Sequence, residues 1–131
     1  HLDGFESEDT VIQIGEFAAK VKELERDWGA VISTGDFNTA EPEAWPGAKC
    51  YNLLMEQAGM SDFRYNCLEK LNNHSSYHGL GIMIGNDPVS GSLDHIFGTS
   101  AASCLKFEVA IFNEQIWASD HSWLMGDIKF N

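Results

Sequence analysis

Three short stretches hold side chains able to do chemistry on an ester. In the first, the β-branched run Val31-Ile32-Ser33-Thr34 leads into Gly35-Asp36-Phe37-Asn38. An apolar strand thus delivers a carboxylate and an amide to its carboxyl end, where open α/β sheets place their ligands. Two residues apart in extended chain, Asp36 and Asn38 point the same way. Asp36 can take a proton from water, and Asn38 can hold that water or a phosphoryl oxygen. A plain turn after a strand also uses Asp and Asn, so the stretch is not diagnostic alone. In the second, Leu93-Asp94-His95-Ile96-Phe97, an ionisable pair interrupts an apolar strand, which costs stability unless each group is satisfied. In the third, Ser119-Asp120-His121, a hard oxygen ligand stands beside an imidazole that titrates near neutrality. A carboxylate bonded to one ring nitrogen orients a histidine and raises its basicity, which makes Asp94 and His121 candidate partners.

Separate acidic positions at strand ends, together with a histidine, form the kit for metal-assisted attack of water on a phosphate ester. Other hydrolytic designs fit less well. No GxSxG nucleophile elbow occurs, nothing selects a cysteine activated by histidine, and neither a GxxxxGK[ST] loop nor GxGxxG is present.

The elements that must carry these residues read as an α/β layer fold. Val11, Ile14, Phe17, Ala18, Val21, Leu24 and Trp28 fall at helical spacing over residues 10–28, with Thr10 and Gln13 suited to a capping box and Gly29 to a stop. A strand at 30–34 follows directly, as in α/β layer folds. After a proline-punctuated loop over 39–46, Pro46 suits the first turn of a second helix that carries Cys50, Leu53, Leu54 and Ala58 and ends at Gly59. Residues 61–92 lack periodicity. Strand-like segments then appear at 93–98, 104–112 and 122–130, the last two alternating apolar and polar. No linker, internal repeat or low-complexity tract interrupts the chain.

Composition bounds the possible functions. The 131 residues contain 8 Lys+Arg against 20 Asp+Glu, so 8 − 20 gives −12. That excess repels nucleic acid and anionic membrane unless a metal or a local basic patch intervenes. Lys49, Arg64 and Lys70 are the few basic residues near the motifs. No apolar run approaches the ~20 residues of a membrane-spanning helix. The three cysteines Cys50, Cys67 and Cys104 show no metal-binding spacing. They suit small buried thiols in a reducing compartment, with one disulfide plus a free thiol as the alternative. A cytoplasmic location is slightly favoured. His1 as first residue suggests a processed terminus or a piece of a longer chain.

In combination the motifs resemble the endonuclease/exonuclease/phosphatase superfamily of deoxyribonuclease I-like proteins. His1-Leu2-Asp3, Gly35-Asp36-Phe37-Asn38, Ser76-Tyr77-His78-Gly79, Leu93-Asp94-His95-Ile96-Phe97 and Ser119-Asp120-His121 occur in the family's order and span the chain. The resemblance implies part of a four-layer α/β/β/α sandwich, with residues 1–131 as the carboxyl-terminal portion of the domain. It also implies that Asp36 helps activate water while Asn38 positions it or the phosphate. His121, paired with Asp94, would contact the scissile phosphate and serve as acid/base. His1 would face the phosphate, His78 would stand at the substrate rim, and Asp120 would help hold Mg²⁺ or Mn²⁺. The family's amino-terminal Asn and its metal-binding Glu have no counterpart here. Many relatives have Arg or another polar residue where Leu93 stands, and Tyr where His95 stands. The expected activity is hydrolysis of a phosphodiester or phosphomonoester, with small-molecule or lipid-headgroup esters ranked above nucleic acid. The alternative is a non-catalytic fragment or interaction module whose sheet faces pair with a missing half or another chain.

Overall fold

The computed structural model describes residues 2, 7–39, 48–72, 75–77, 92–110 and 119–131. The first helix, α1, runs Glu8–Trp28 and starts two residues earlier than the periodicity predicts. Ser7 caps it, its hydroxyl accepting from the Thr10 N–H at 3.1 Å, so Thr10 is a buried first-turn residue instead of the cap. Gly29 closes the helix at φ +85°, and its N–H donates to the Glu25 carbonyl at 2.7 Å, a conformation that favours glycine. The second helix, α2, spans Ala48–Ala58. Pro46 and most of its preceding loop lie outside the described residues.

Six strands complete the fold: β1 Ile32–Asp36, β2 Ser61–Asp62, β3 Cys67–Leu71, β4 Asp94–Gly98, β5 Ala102–Ala110 and β6 Trp123–Phe130. Their pairing makes two three-stranded sheets, ordered β1-β4-β2 and β3-β5-β6. The first is antiparallel throughout, and β4 lies in its centre. In the second, β3 runs parallel to β5 and β6 antiparallel to it. Strands β2 and β3 arise within 61–92, where no periodicity was visible because β2 is two residues long and β3 is mostly exposed.

Alternation along β4 assigns the layers. Phe97 points into a core with Ile14, Ala18 and Val21 of α1, Leu54 and Ala58 of α2, and Phe37. Ile96 points the other way, into a core with Phe107, Val109 and Cys104 of β5. Helices, first sheet and second sheet therefore stack as three layers. On β6, Trp123, Met125 and Phe130 are exposed. No helix among the described residues is long and apolar enough to cross a membrane.

The cysteines depart from the expectation of three thiols. Cys67 and Cys104 sit opposite each other in the β3–β5 register, with Cα atoms 4.6 Å apart, and form a disulfide. Cys50 is free and buried in the helical core.

Candidate functional site

Strands β1 and β4 set two carboxylates face to face, because Asp36 and Asp94 are register partners at the ends of adjacent antiparallel strands. Like charges directly opposite on a sheet are destabilising, so the pair calls for a cation or a proton nearby. His121 supplies one. Its Nδ1 lies 2.6 Å from Asp94 Oδ2, and the group is only partly exposed. Ligand atoms of Asp36, Asp94 and His121 all lie within 4.8 Å of one another.

The electrostatics of His121 follow from this placement. Burial alone lowers its pKa, but the Asp94 hydrogen bond and the charges of Asp94, Asp36 and Asp120 outweigh burial and hold it above its ordinary value. Nδ1–H thus serves Asp94. The Tyr77 ring stands edge-on to the imidazole with centroids 5.2 Å apart, and residues 77 and 121 form an isolated antiparallel bridge.

A tight turn at the end of β1 holds Asp36. The Asn38 N–H donates to Asp36 Oδ1 at 2.8 Å, and Asn38 adopts φ +47°, a conformation Asn tolerates better than most residues. Between them Phe37 turns inward as a peg, edge-on to Phe97 at 4.7 Å, and its N–H donates to the Leu93 carbonyl at 2.9 Å. Asn38 Nδ2 donates to the Leu2 carbonyl at 2.8 Å. The amide therefore ties the segment at residue 2 to this turn, a contact its expected duty toward water or phosphate did not foresee.

The structure separates the neighbours Asp94 and His95. His95 points to the helical side of β4, where its Nδ1 lies 2.7 Å from Asp62 Oδ2 and its Nε2 lies 2.7 Å from the Thr39 carbonyl. Asp62 accepts further bonds from the Tyr51 hydroxyl and the Arg64 N–H. Because Thr39 follows Asn38, this buried network braces the Asp36 turn from beneath. Asp62, Tyr51 and Thr39 were not singled out from the sequence; the usable signal was a histidine on an apolar strand that had to find a carboxylate.

Asp36, Asn38, Asp94, Asp120 and His121 thus lie in one region, with Asp120 exposed and close enough to act on His121 by its charge. His1 and His78 lie outside the described residues. Arg64, a basic residue near the motifs, is fully buried with its guanidinium 5.2 Å from the Phe107 ring centroid, and is withdrawn from any ligand. A cleft of about 390 Å³ adjoins Asp94, lined by Thr34, Ile96, Ser122, Trp123 and Leu124 among others. Two carboxylates are hard oxygen donors of the kind Mg²⁺ or Mn²⁺ takes, and imidazole suits Mn²⁺ better than Mg²⁺. The two carboxylates fit such an ion, as part of its shell.

No protein-family model matches the sequence, and no curated protein sequence matches it. Solved structures do. An endonuclease/exonuclease/phosphatase from Bacteroides vulgatus superposes over 100% of this chain and 48% of its own, with a TM-score of 0.84 at 19% identity. A mannosyl-6-phosphatase from Bacteroides thetaiotaomicron matches over 99% of this chain and 49% of its own, with a TM-score of 0.76 at 21% identity. An endonuclease/exonuclease/phosphatase family protein from Leptotrichia buccalis matches over 88% of this chain and 42% of its own, with a TM-score of 0.64 at 21% identity. The chain spans about half the length of the structures it matches. Its α/β fold is that of about half an endonuclease/exonuclease/phosphatase-type structure.

Proposed function

We propose that residues 1–131 form the carboxyl-terminal portion of a phosphoesterase domain that hydrolyses phosphate esters by attack of an activated water. The observation that carries this reading is the Asp94–His121 pair at 2.6 Å, set against Asp36 across the β1–β4 register. Asp36 takes the proton from the attacking water, and Asn38 orients that water or a phosphoryl oxygen. Asp94 holds the His121 ring through Nδ1, which leaves Nε2–H to donate to a phosphoryl oxygen or to the leaving group. In this reading His1 meets the phosphate and His78 lies at the substrate rim. Asp36, Asp94 and Asp120 are the carboxylates that would hold Mg²⁺ or Mn²⁺, an ion that supplies charge neutralisation and a more acidic water when bound. The mannosyl-6-phosphatase neighbour and the charge of −12 both favour a small phosphomonoester over nucleic acid.

The test is hydrolysis of p-nitrophenyl phosphate and bis(p-nitrophenyl) phosphate with Mg²⁺ or Mn²⁺, by the full-length polypeptide that carries these residues. Asp36→Ala and His121→Ala should each abolish turnover, and unchanged rates in both would end this reading. A second reading rests on Trp123 and Met125, which are exposed on one face of β6: the chain alone is a non-catalytic module that covers this face with another polypeptide. The Cys67–Cys104 disulfide favours an oxidising compartment over the cytoplasm.

A further inference from the structure

The Asp94–His121 pair joins segments far apart in sequence, and neither is held by the other alone. Asp94 opens β4 in the first sheet, while His121 precedes β6 in the second. Ser76 bonds to both. Its side chain is fully buried, and its Oγ accepts from the Leu93 and Asp94 N–H groups, each at 3.0 Å. Its carbonyl accepts from the Ser122 N–H at 2.7 Å, one residue beyond His121. The next residue, Tyr77, bridges His121 and sets its ring against the imidazole. The Ser75 hydroxyl donates to the Tyr77 carbonyl at 2.7 Å, which ties down this short segment.

We propose that Ser76 is the positioning residue that aligns Asp94 with His121, fixing the first through its hydroxyl and the second through its carbonyl. This inference rests on the phosphoesterase reading for its consequence, but its geometry stands apart from it. One oxygen that takes two successive N–H groups sets both the height and the tilt of the peptide from which the Asp94 side chain springs. A carboxylate–imidazole bond of 2.6 Å tolerates little drift, and a displacement of about 1 Å at such a site can cost about 100-fold in rate. The role differs from that of a core serine, because what it controls is the register between two sheets at the point where their side chains meet. Every side-chain variant keeps the carbonyl bond to Ser122, so substitution loosens the Asp94 side alone.

The test compares the protein with Ser76→Ala and Ser76→Thr by proton–nitrogen correlation spectra of the histidine rings and by steady-state kinetics on p-nitrophenyl phosphate. The unsubstituted protein should show the His121 Nδ1–H as a protected, hydrogen-bonded resonance. Ser76→Ala should fold, lose that resonance to solvent exchange, and lower kcat about 10- to 100-fold, as loss of an outer-shell partner does, with KM unchanged within about twofold. Ser76→Thr keeps the oxygen and should restore both. Should Ser76→Ala not fold, Ser76→Cys fills the same space with a weak acceptor and should give the same losses. A resonance that persists in the Ala or Cys variant, or that Thr does not restore, would overturn the assignment. So would failure of both Ala and Cys to fold, which would make Ser76 a residue of the fold and not of alignment. An unsubstituted protein without turnover would end the phosphoesterase reading, while the resonance comparison would still decide the role of Ser76.

Discussion

Asp94 and His95 are adjacent in the chain and serve opposite faces of one strand. Asp94 meets His121 on the side toward the second sheet, and His95 meets Asp62 on the side toward the helices. A single dipeptide thus supplies the partly exposed acid–imidazole pair and the buried one beneath it. The buried pair should matter for stability and the other for chemistry. Asp62→Ala leaves a sealed imidazole without its hydrogen-bond partner and should cost about 1–3 kcal/mol or more, whereas Asp94→Ala, on a partly exposed pair, should cost about 1 kcal/mol or less. Urea unfolding followed by circular dichroism measures both. Equal costs would remove the distinction.

The pH dependence of stability should carry the mark of His121. Its pKa is raised in the folded chain above the ordinary value of about 6.5. The folded state therefore binds the proton more tightly than the unfolded one. The resulting stabilisation is fully present below the unfolded value and is lost as pH rises through the folded one. Asp94→Asn removes the largest favourable partner and should flatten this decline. Thermal melts between about pH 5 and 9, compared with the titration of the His121 ring by NMR, test the sign.

Proton and metal should compete at the same cluster. Ligand atoms of Asp36 and Asp94 lie within 4.8 Å of His121, so a cation held by the carboxylates repels the imidazole proton and each disfavours the other. Mn²⁺ affinity should therefore rise about tenfold per pH unit below the folded pKa of His121 and level off above it. Calorimetric titration of the 131-residue chain measures this, and Asp36→Ala should weaken binding at every pH. Affinity that ignores pH would separate the His121 proton from the metal site.

Much of this arrangement is legible in the sequence, and the gaps have physical causes. The helical stripe Ile14, Ala18 and Val21 and the alternation along β5 each bury one face, so apolar spacing reveals them, while Val11 and Trp28, at the ends of the expected stripe, are exposed. Asp36, Asp94, Asp120 and His121 stand at strand ends, where polar residues contrast with apolar neighbours. Strand β2 is invisible because two residues have no period. Asp62 is hidden for a related reason: a buried carboxylate reads as a surface one until its partners, 11 and 33 residues away, are placed around it. Ser76 acts through backbone groups of residues 93, 94 and 122, which no side-chain pattern encodes.

The disulfide gives an independent check on the second sheet. Cys67 and Cys104 are 37 residues apart, and closing a loop of that size stabilises by about 3–4 kcal/mol in the chain-entropy view. Reduction, or Cys67→Ser, should lower stability by about that amount without loss of the Asp94–His121 pair, which lies at the start of β4 and before β6. Mass spectrometry of the bridged peptides and urea unfolding with and without dithiothreitol measure it. Cysteine-reactive label on all three thiols of the folded, unreduced protein would contradict the pairing.

In the proposed phosphoesterase, Asp36, Asp94 and His121 act together on a phosphate ester. The most direct measurement is the Mn²⁺- or Mg²⁺-dependent hydrolysis of p-nitrophenyl phosphate by the full-length polypeptide and by its Asp36→Ala, Asp94→Ala and His121→Ala variants and their combinations. Groups that act as a unit should each cost about as much alone as together, so the double and triple variants should be no slower than the worst single one. Turnover that survives all three substitutions, or losses that simply multiply, would contradict the account.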